Sequence, residues 1–422
     1  MFDPVAYINE PRWRSMSLGL ERISELLERL GNPQDVLRFV HVAGTNGKGS
    51  TCAFVSAILQ QAGYRVGLFT SPYIDHFEER IRVDGSEISH DDLVSATLRV
   101  REAAEAMDSH PTEFELMTAV AFEHFARTEC DIVVCEVGLG GRLDSTNVIT
   151  SVEVCAFAPI SYDHCAMLGS TLGQIANEKA GILKRGASAV SAPQEPEVRE
   201  VLSARASELD VPLRYIDLSQ IAGTNECFSF AGLDGLSIPL QGSYQLVNAS
   251  LAVLVCRALA EKGWSIDEGS IRRGLAGASW PGRFEFLGHE PDVIIDGAHN
   301  IHAIRALAHE LSGRYEEGGI VFVVGVMADK DYVPMLKLLA PLANSFVCYE
   351  PGNPRALPAS ELASAVGRAL AAVGCSGQVG TYQAPTPDAA VSRARELSCG
   401  RLPICFCGSL YGIAAMKEAW KR

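Results

Sequence analysis

The chain has 422 residues, with 36 Lys plus Arg against 51 Asp plus Glu and a formal net charge of −15. An acidic chain lacks the basic face that a general nucleic-acid coat needs, although a local basic pocket for phosphates stays open. Hydrophobic residues at 47 % and charged residues at 21 % exclude large-scale disorder, and at roughly 100–200 residues per domain the length suggests about two or three domains.

In chain order, SLGLERISELLERL (17–30) places Leu18, Ile23, Leu26, Leu27 and Leu30 on one helical face, and Gly31-Asn32-Pro33 stops that helix. LRFVHVAG (37–44) reads as a strand running into a glycine-rich loop. STCAFVSAILQQAG (50–63) reads as a helix, and YRVGLFTS (64–71) as the next strand. This βαβ unit implies parallel strands and a right-handed crossover. A helix over 112–127 leads into the buried strand CDIVVCEVG (130–138). Strand 151–160, helix 171–184, strand 187–193 and a helix around 246–262 close this half. WPGRFEFLGHEP (280–291), rich in Gly and Pro, marks a boundary near residue 288, giving domains 1–288 and 289–422. The second series is strand 292–298, helix 301–313, strand 319–327, helix 332–340, strand 345–350, helices 359–373 and 387–397, and strand 402–409. Such alternation predicts an α/β fold of two domains: an N-terminal P-loop mononucleotide-binding domain with a mostly parallel sheet, and a C-terminal Rossmann-like α/β domain. Ligands in such domains bind where strands end and helices begin, so an inter-domain cleft is the expected active site.

Twelve cysteines run from Cys52 to Cys407 without a CxxC pair, and the closest two, Cys405 and Cys407, lie in an apolar run. They read as core thiols in a reducing compartment rather than a disulfide scaffold. MFDPVAYINEPRW has no basic start followed by an apolar stretch, and the apolar run 320–328 falls far short of the ~20 residues that cross a bilayer. A soluble, cytoplasmic protein with no membrane partner is expected.

GTNGKGS (44–50) sits between the first strand and its helix. Its glycines let backbone approach a phosphate, and loop amides and the helix N-terminus face the anion. Lys48 adds a point charge for the outer phosphates. The spacing departs from G-x-x-x-x-G-K-[ST]: two residues separate Gly44 from Gly47, and Gly49 precedes Ser50. Mononucleotide binding by Gly44, Thr45, Asn46, Gly47, Lys48, Gly49 and Ser50 is expected.

HVAGTNGKGST (41–51), GLFTSPY (67–73) and FEERIRVDG (77–85) resemble the folylpolyglutamate synthase and dihydrofolate synthase family of the Mur ligase superfamily. TEFELMTAVAFEHF (112–125), CEVGLGGRLDSTN (135–147), DHCAMLG (163–169), EKAGILK (178–184), GSYQLVNA (242–249), WPGRFE (280–285), DGAHN (296–300), DKD (329–331) and GSLY (408–411) follow in the family's order. The resemblance implies ATP-dependent amide formation through an acyl phosphate, with L-glutamate added to dihydropteroate or a reduced folate. It implies ATP and one or two magnesium ions, and admits a monovalent cation. A monomer without a nucleic-acid partner is expected.

Carried over residue by residue, the resemblance places Ser71, Glu136 and His164 at magnesium positions. His164 runs against the oxygen preference of magnesium, and Asp163 beside it is expected to orient the ring. Lys48, His164 and Lys179 are the expected catalytic residues. Glu178-Lys179 alone reads as an exposed charged pair, whereas the resemblance makes Lys179 a carboxylated lysine, which requires a depressed amine pKa. Asn248, Arg283 and Asp296 match ATP-contacting positions, and His299, in the same loop as Asp296, is expected to touch the nucleotide. Thr112, Glu113, Phe114 and Glu115 with Leu143, Asp144 and Ser145 match the pterin-binding segments. Phe114 and Tyr73 supply an apolar wall, with plain core packing as the alternative. The second domain is expected to supply the glutamate site. Tyr73 stands where the family usually has His, Ser145 where it has Ala, and SYDHC (161–165) departs around the Asp-His pair.

Two other readings compete. A peptidoglycan Mur ligase would place a UDP-binding domain ahead of the loop, and the residues before Gly44 are too few for one. A non-catalytic nucleotide switch would need the loop but not Glu136, His164, Lys179 and Arg283 together.

Overall fold

The structure, a computed structural model, describes residues 2–10 and 19–422. The chain divides into two compact units, Met1–Pro239 with Gln245–Ser279, and Leu240–Tyr244 with Trp280–Arg422. Residue 288 falls within the second unit, because Glu285–Gly288 is a strand paired with Val293–Ile295 there.

The first part of the chain runs α1 (Pro4–Ile8), α2 (Glu21–Arg29), β1 (Phe39–Ala43), α3 (Lys48–Gln61), β2 (Val66–Phe69), β3 (Ile81–Val83), β4 (Ser86–Glu87), α4 (His90–Glu105), α5 (Glu113–Arg127), β5 (Ile132–Glu136) and β6 (Val152–Phe157). It continues with α6 (Cys165–Leu168), α7 (Leu172–Ala180), β7 (Ser188–Ser191), α8 (Pro196–Glu208), β8 (Leu213–Tyr215), β9 (Ala222–Thr224), β10 (Cys227–Phe230), β11 (Leu233–Leu236), α9 (Tyr244–Glu261) and α10 (Glu268–Gly277). Strands pair in the order β4-β3-β2-β5-β1-β6-β7-β8. The six from β2 to β8 are parallel, and β3 and β4 run antiparallel at one edge. A small antiparallel sheet, β11-β10-β9, is separate.

All five residues of β1 and of β5 are buried, as expected of central strands covered on both faces. Ile23, Leu26 and Leu27 of α2 are buried on the expected face. Ser17 and Leu18, where that helix was expected to begin, lie outside the described residues. Helix α10 packs on α3 at a glycine: a Cβ on Gly274 would lie 2.4 Å from the Ile58 Cα. This contact sets the axis of the helix whose first turn carries Lys48.

The second unit contains β12 (Glu285–Gly288), β13 (Val293–Ile295), α11 (Ile301–Ser312), β14 (Ile320–Val324), α12 (Tyr332–Leu339), β15 (Ala343–Tyr349), α13 (Ala359–Ala372), β16 (Gly380–Ala384), α14 (Pro387–Ser398), β17 (Ile404–Cys407) and α15 (Ile413–Lys421). Its sheet order is β12-β13-β17-β14-β15-β16, parallel except for β12. Phe322 and Phe346 stack in its core at 5.5 Å between ring centroids.

The α/β class and the mostly parallel sheets agree with the sequence. Several bounds differ. Helix 171–184 ends at Ala180, because Gly181 leaves the helix to meet Arg142 closely. Strand 292–298 shortens to Val293–Ile295, because Asp296 turns the chain by accepting the Ala298 amide. Helices α4, α8 and α10 and the edge strand β16 were not expected. All twelve cysteines are free thiols. Among the described residues, no helix is long and apolar enough to cross a membrane.

Candidate active site

The phosphate loop leaves β1 at Gly44 and enters α3 at Lys48. Gly44 has φ 150°, and a Cβ there would lie 2.7 Å from the Ala158 Cβ, so the loop presses on the chain after β6. The amides of Thr45 and Asn46 donate to the Pro159 carbonyl at 2.9 and 3.3 Å. Thr45 Oγ1 lies 3.0 Å from the Ser161 carbonyl. The amides of Lys48, Gly49 and Ser50 belong to the first turn of α3 and have no intrahelical acceptor. The amides without an intrahelical acceptor therefore lie in the second half of the motif, and Thr45 and Asn46 tie the first half to the chain after β6.

Gly47 adopts φ 86°, and a Cβ would fall 2.4 Å from Asn248 Oδ1. Asn248 is buried on α9, and its Nδ2 donates to Gln245 Oε1 at 2.9 Å. Gln245 in turn donates to Ser50 Oγ at 3.3 Å. Sequence reasoning missed Gln245. Its one signal is a polar residue three positions before Asn248, on the same helical face.

Lys48 Nζ donates to the Thr45 carbonyl at 3.3 Å and lies 3.7 Å from Glu136 Oε1. Glu136, buried at the end of β5, accepts the Ser71 amide at 3.1 Å. Ser71, Glu136 and Lys48 thus converge where β1, β2 and β5 end. His164 caps α6 with φ 50°. Asp163 accepts the His164 backbone amide at 2.9 Å, and its Oδ1 sits 3.8 Å from the His164 Nε2, too far for a hydrogen bond to the ring. Among the described residues, no three His, Cys, Asp or Glu side chains cluster to hold a metal.

Lys179 is buried, not an exposed partner of Glu178, which pairs with Arg142 at 2.8 Å instead. Lys179 Nζ donates to the Gly44 carbonyl at 2.8 Å. Its pKa is lowered to about 7, first by burial and next by nearby Lys48, with Asp163 and Asp144 opposing.

Residues 42–256 match the Mur ligase middle domain, and residues 282–410 the Mur ligase glutamate ligase domain. A dihydrofolate synthase/folylpolyglutamate synthase of Bacillus subtilis is 39 % identical over 360 residues, covering 82 % of this chain and 84 % of that one. The Escherichia coli enzyme of the same name is 31 % identical, covering 98 % of this chain and 94 % of that one. The chain belongs to the folylpolyglutamate synthase/dihydrofolate synthase family of Mur ligases. Among solved structures, Mycobacterium tuberculosis folylpolyglutamate synthase complexed with ADP superposes with a TM-score of 0.90 at 33 % identity, covering 100 % of this chain and 99 % of that one. E. coli FolC in complex with DHPP and ADP gives 0.85 at 31 % identity, covering 99 % and 96 %.

Two segments that the family resemblance marks for the acyl substrate are tightly built. Thr112 caps α5, and Glu115 returns to the Thr112 amide at 2.7 Å, while Glu113 follows in the first turn. Glu115 also takes a two-point ion pair from Arg22, both contacts at 3.1 Å. Phe114 lies against Gly138, where a Cβ would fall 2.4 Å from the ring. Tyr73 packs on the core with the Arg80 guanidinium 4.8 Å from its ring centre. In the other segment, Asp144 is buried between Leu143 and Ser145. Its Oδ2 accepts the Leu139 amide at 2.8 Å, and its Oδ1 accepts the Thr146 amide at 3.0 Å. Burial pushes its carboxyl up from the ordinary range, and those hydrogen bonds pull the other way.

In the second unit, Asp296 is equally engaged. It accepts the Phe284 amide at 2.7 Å, the Ala298 amide at 2.7 Å and the Tyr244 hydroxyl at 3.2 Å. Burial raises its pKa, with Arg283 the main opposing influence. His299 Nδ1 lies 2.8 Å from the Gly297 carbonyl.

The contact between Gly47 and Asn248 gives a direct test. Gly47→Ala adds a Cβ at a positive φ and against Asn248, so nucleotide affinity should fall by about tenfold or more, as for a strained backbone costing ~1–3 kcal/mol. Calorimetric titration with ADP reads the change, and unchanged affinity would remove this contact from the nucleotide site.

Proposed function

We propose that this chain catalyses ATP-dependent addition of L-glutamate to the carboxylate of dihydropteroate or a reduced folate. The observation that carries the reading is the convergence of Lys48, Ser71 and Glu136 beside a phosphate loop in a chain of this family. We place the reaction in the cytoplasm, a compartment suited to the free thiols, with the enzyme acting as a monomer.

A carboxylate is a poor acyl donor, because its leaving group would be an oxide. Its oxygen attacks the γ-phosphorus of ATP, releasing ADP and forming an acyl phosphate. The neutral amine of glutamate then attacks the carbonyl carbon. The tetrahedral adduct collapses with loss of phosphate, and the nitrogen sheds its proton to leave an amide. The protein's part is positioning and stabilising negative charge. The first-turn amides of α3 and Lys48 face the phosphates in this reading. Asn248, Arg283, Asp296 and His299 complete the ATP contacts, Arg283 as a cation and Asp296 by holding the Phe284 and Ala298 backbone.

Magnesium is commonly held by one or two carboxylates together with substrate phosphates. Glu136 and the Ser71 hydroxyl, joined through the Ser71 amide, fit that description. His164 is the third position. When bound, the metal neutralises charge on the transferring phosphate. Lys179 fits carbamate formation: an amine with a pKa of about 7 is substantially neutral at physiological pH, which attack on carbon dioxide requires. Leu143, Ser145, Phe114 and Tyr73 border the acyl substrate, and the second unit supplies the glutamate site.

Purified enzyme should form amide product from ATP, glutamate and dihydropteroate, and separately from tetrahydrofolate. Product from neither would end the ligase reading, and product from one alone would end the bifunctional one. Glu136→Gln should shift the magnesium titration of ligation to about tenfold higher concentration or more, since a charged ligand becomes neutral. An unchanged titration excludes Glu136 from the metal site. Protein equilibrated with ¹³C-bicarbonate should show a carbamate carbon resonance that Lys179→Ala lacks, and identical spectra would rule the modification out.

A further inference from the structure

His41 occupies the middle of β1, and its side chain is fully buried. Its Nε2 lies 2.8 Å from Thr146 Oγ1. Thr146 Oγ1 lies 2.5 Å from Asp144 Oδ1. Asp144 accepts from the amides of Gly138, Leu139 and Thr146, an all-acceptor pattern suited to the ionised carboxylate. Thr146 has one hydroxyl proton, and a carboxylate can only accept it. The Thr146 oxygen must therefore accept from His41, which fixes the imidazole proton on Nε2. Nδ1 is then a bare lone pair, and Nδ1 is the atom left without a hydrogen-bond partner among the described residues. An unpartnered acceptor is the less costly of the two choices, since orphaned buried N–H groups are rare. A charged ring is disfavoured as well: burial, with Lys184 adding to it, lowers the His41 pKa to about 3.

We propose that His41 is a positioning residue for the acyl substrate: through Thr146 it fixes Asp144, the residue around which the turn bearing Leu143 and Ser145 is built. The inference rests on reading that turn as part of the acyl-substrate site. The turn is held from two sides. On the β1 side stands the chain His41–Thr146–Asp144. On the α7 side the Arg142 amide donates to the Glu178 carbonyl at 2.7 Å, and Asn147 Nδ2 donates to the Gly181 carbonyl at 3.1 Å. Neither side uses the first-turn amides of α3. Loosening the β1 side should therefore move acyl-substrate binding and leave ATP binding in place.

Thr146→Val keeps the shape and removes the hydroxyl, and Thr146→Ser keeps the hydroxyl. The Val variant should raise KM for the acyl substrate by about tenfold, the scale of one lost buried hydrogen bond, with KM for ATP within about twofold. The Ser variant should restore the acyl-substrate KM to within about threefold of the wild type. An acyl-substrate KM within about twofold of wild type in the Val variant, or both KM values rising together, overturns the proposal. A second readout needs no destabilising change. In ¹⁵N spectra of histidine-labelled wild-type protein at pH 7, the His41 ring, assigned by its shift in Thr146→Ser, should be neutral and protonated on Nε2. A ring protonated on Nδ1, or on both nitrogens, overturns the proposal even if the Val variant does not fold. Failure of the functional reading would appear separately, as wild-type enzyme that ligates neither acyl substrate while the tautomer remains readable.

Discussion

The amine of Lys179 is buried, and a buried amine has to donate a hydrogen bond. Its acceptor is the carbonyl of Gly44, the first residue of the phosphate loop. That one bond ties α7 to the end of β1. It is possible only because α7 lies very close to the turn after β5. A Cβ on Gly141 would fall 2.9 Å from the Glu178 carbonyl oxygen, and one on Gly181 would fall 2.4 Å from the Arg142 Cβ. Backbone meets backbone there, so α7 supports two neighbouring loops. One leads into the first-turn amides of α3, proposed to face the phosphates, and the other carries Leu143 and Ser145, proposed to border the acyl substrate. A side chain at either glycine would push α7 away and lengthen the Lys179 reach.

The same economy explains why so many charges tolerate burial here. An unpaired buried charge is costly unless hydrogen bonds replace its water. Glu136 has the Ser71 amide and nearby Lys48. Asp144 has backbone amides and Thr146. Glu115 has Arg22 and the Thr112 amide. Asp296 has two amides and Tyr244. In each case backbone donors do much of the solvating. The acids consequently act on the shape of the chain as much as on any ligand, and an acid at a motif position is not by that fact a ligand contact.

The strong apolar strands and the phosphate loop were legible in the sequence because their signals are local. Hydrophobic runs such as IVFVV and glycine spacing need no partner to be read. Strand β16 was not legible, since as an edge strand it buries only Ala384 of its five residues fully and lacks an apolar run. Helices α8 and α10 are polar on most of their surface, and their buried faces are small. The site was legible as motifs but not as contacts. Lys179 resembles a surface lysine because the partner of its buried amine, Gly44, is 135 residues away in sequence. Arg22 and His41 carried no signal at all. Their partners, Glu115 and Thr146, are 93 and 105 residues distant.

Electrostatics joins these pieces. The chain carries a net charge of −15, and its proposed substrates are anions. The site opposes that field with cations, and two of them, Lys48 and Lys179, lie near enough for Lys48 to lower the Lys179 pKa. Two adjacent ammonium groups repel, and burial penalises the charge on Lys179. The arrangement is relieved when one amine gives up its charge, and Lys179 is the better placed to do so because it is the more deeply buried. A neutral Lys179 still donates to Gly44, so the loop keeps its anchor. A carbamate there would go further, since an anionic group beside Lys48 turns repulsion into attraction. The depressed amine is thus a consequence first of burial and then of a second lysine beside it, and the proposed reactivity toward carbon dioxide would follow from the same packing that shapes the loop.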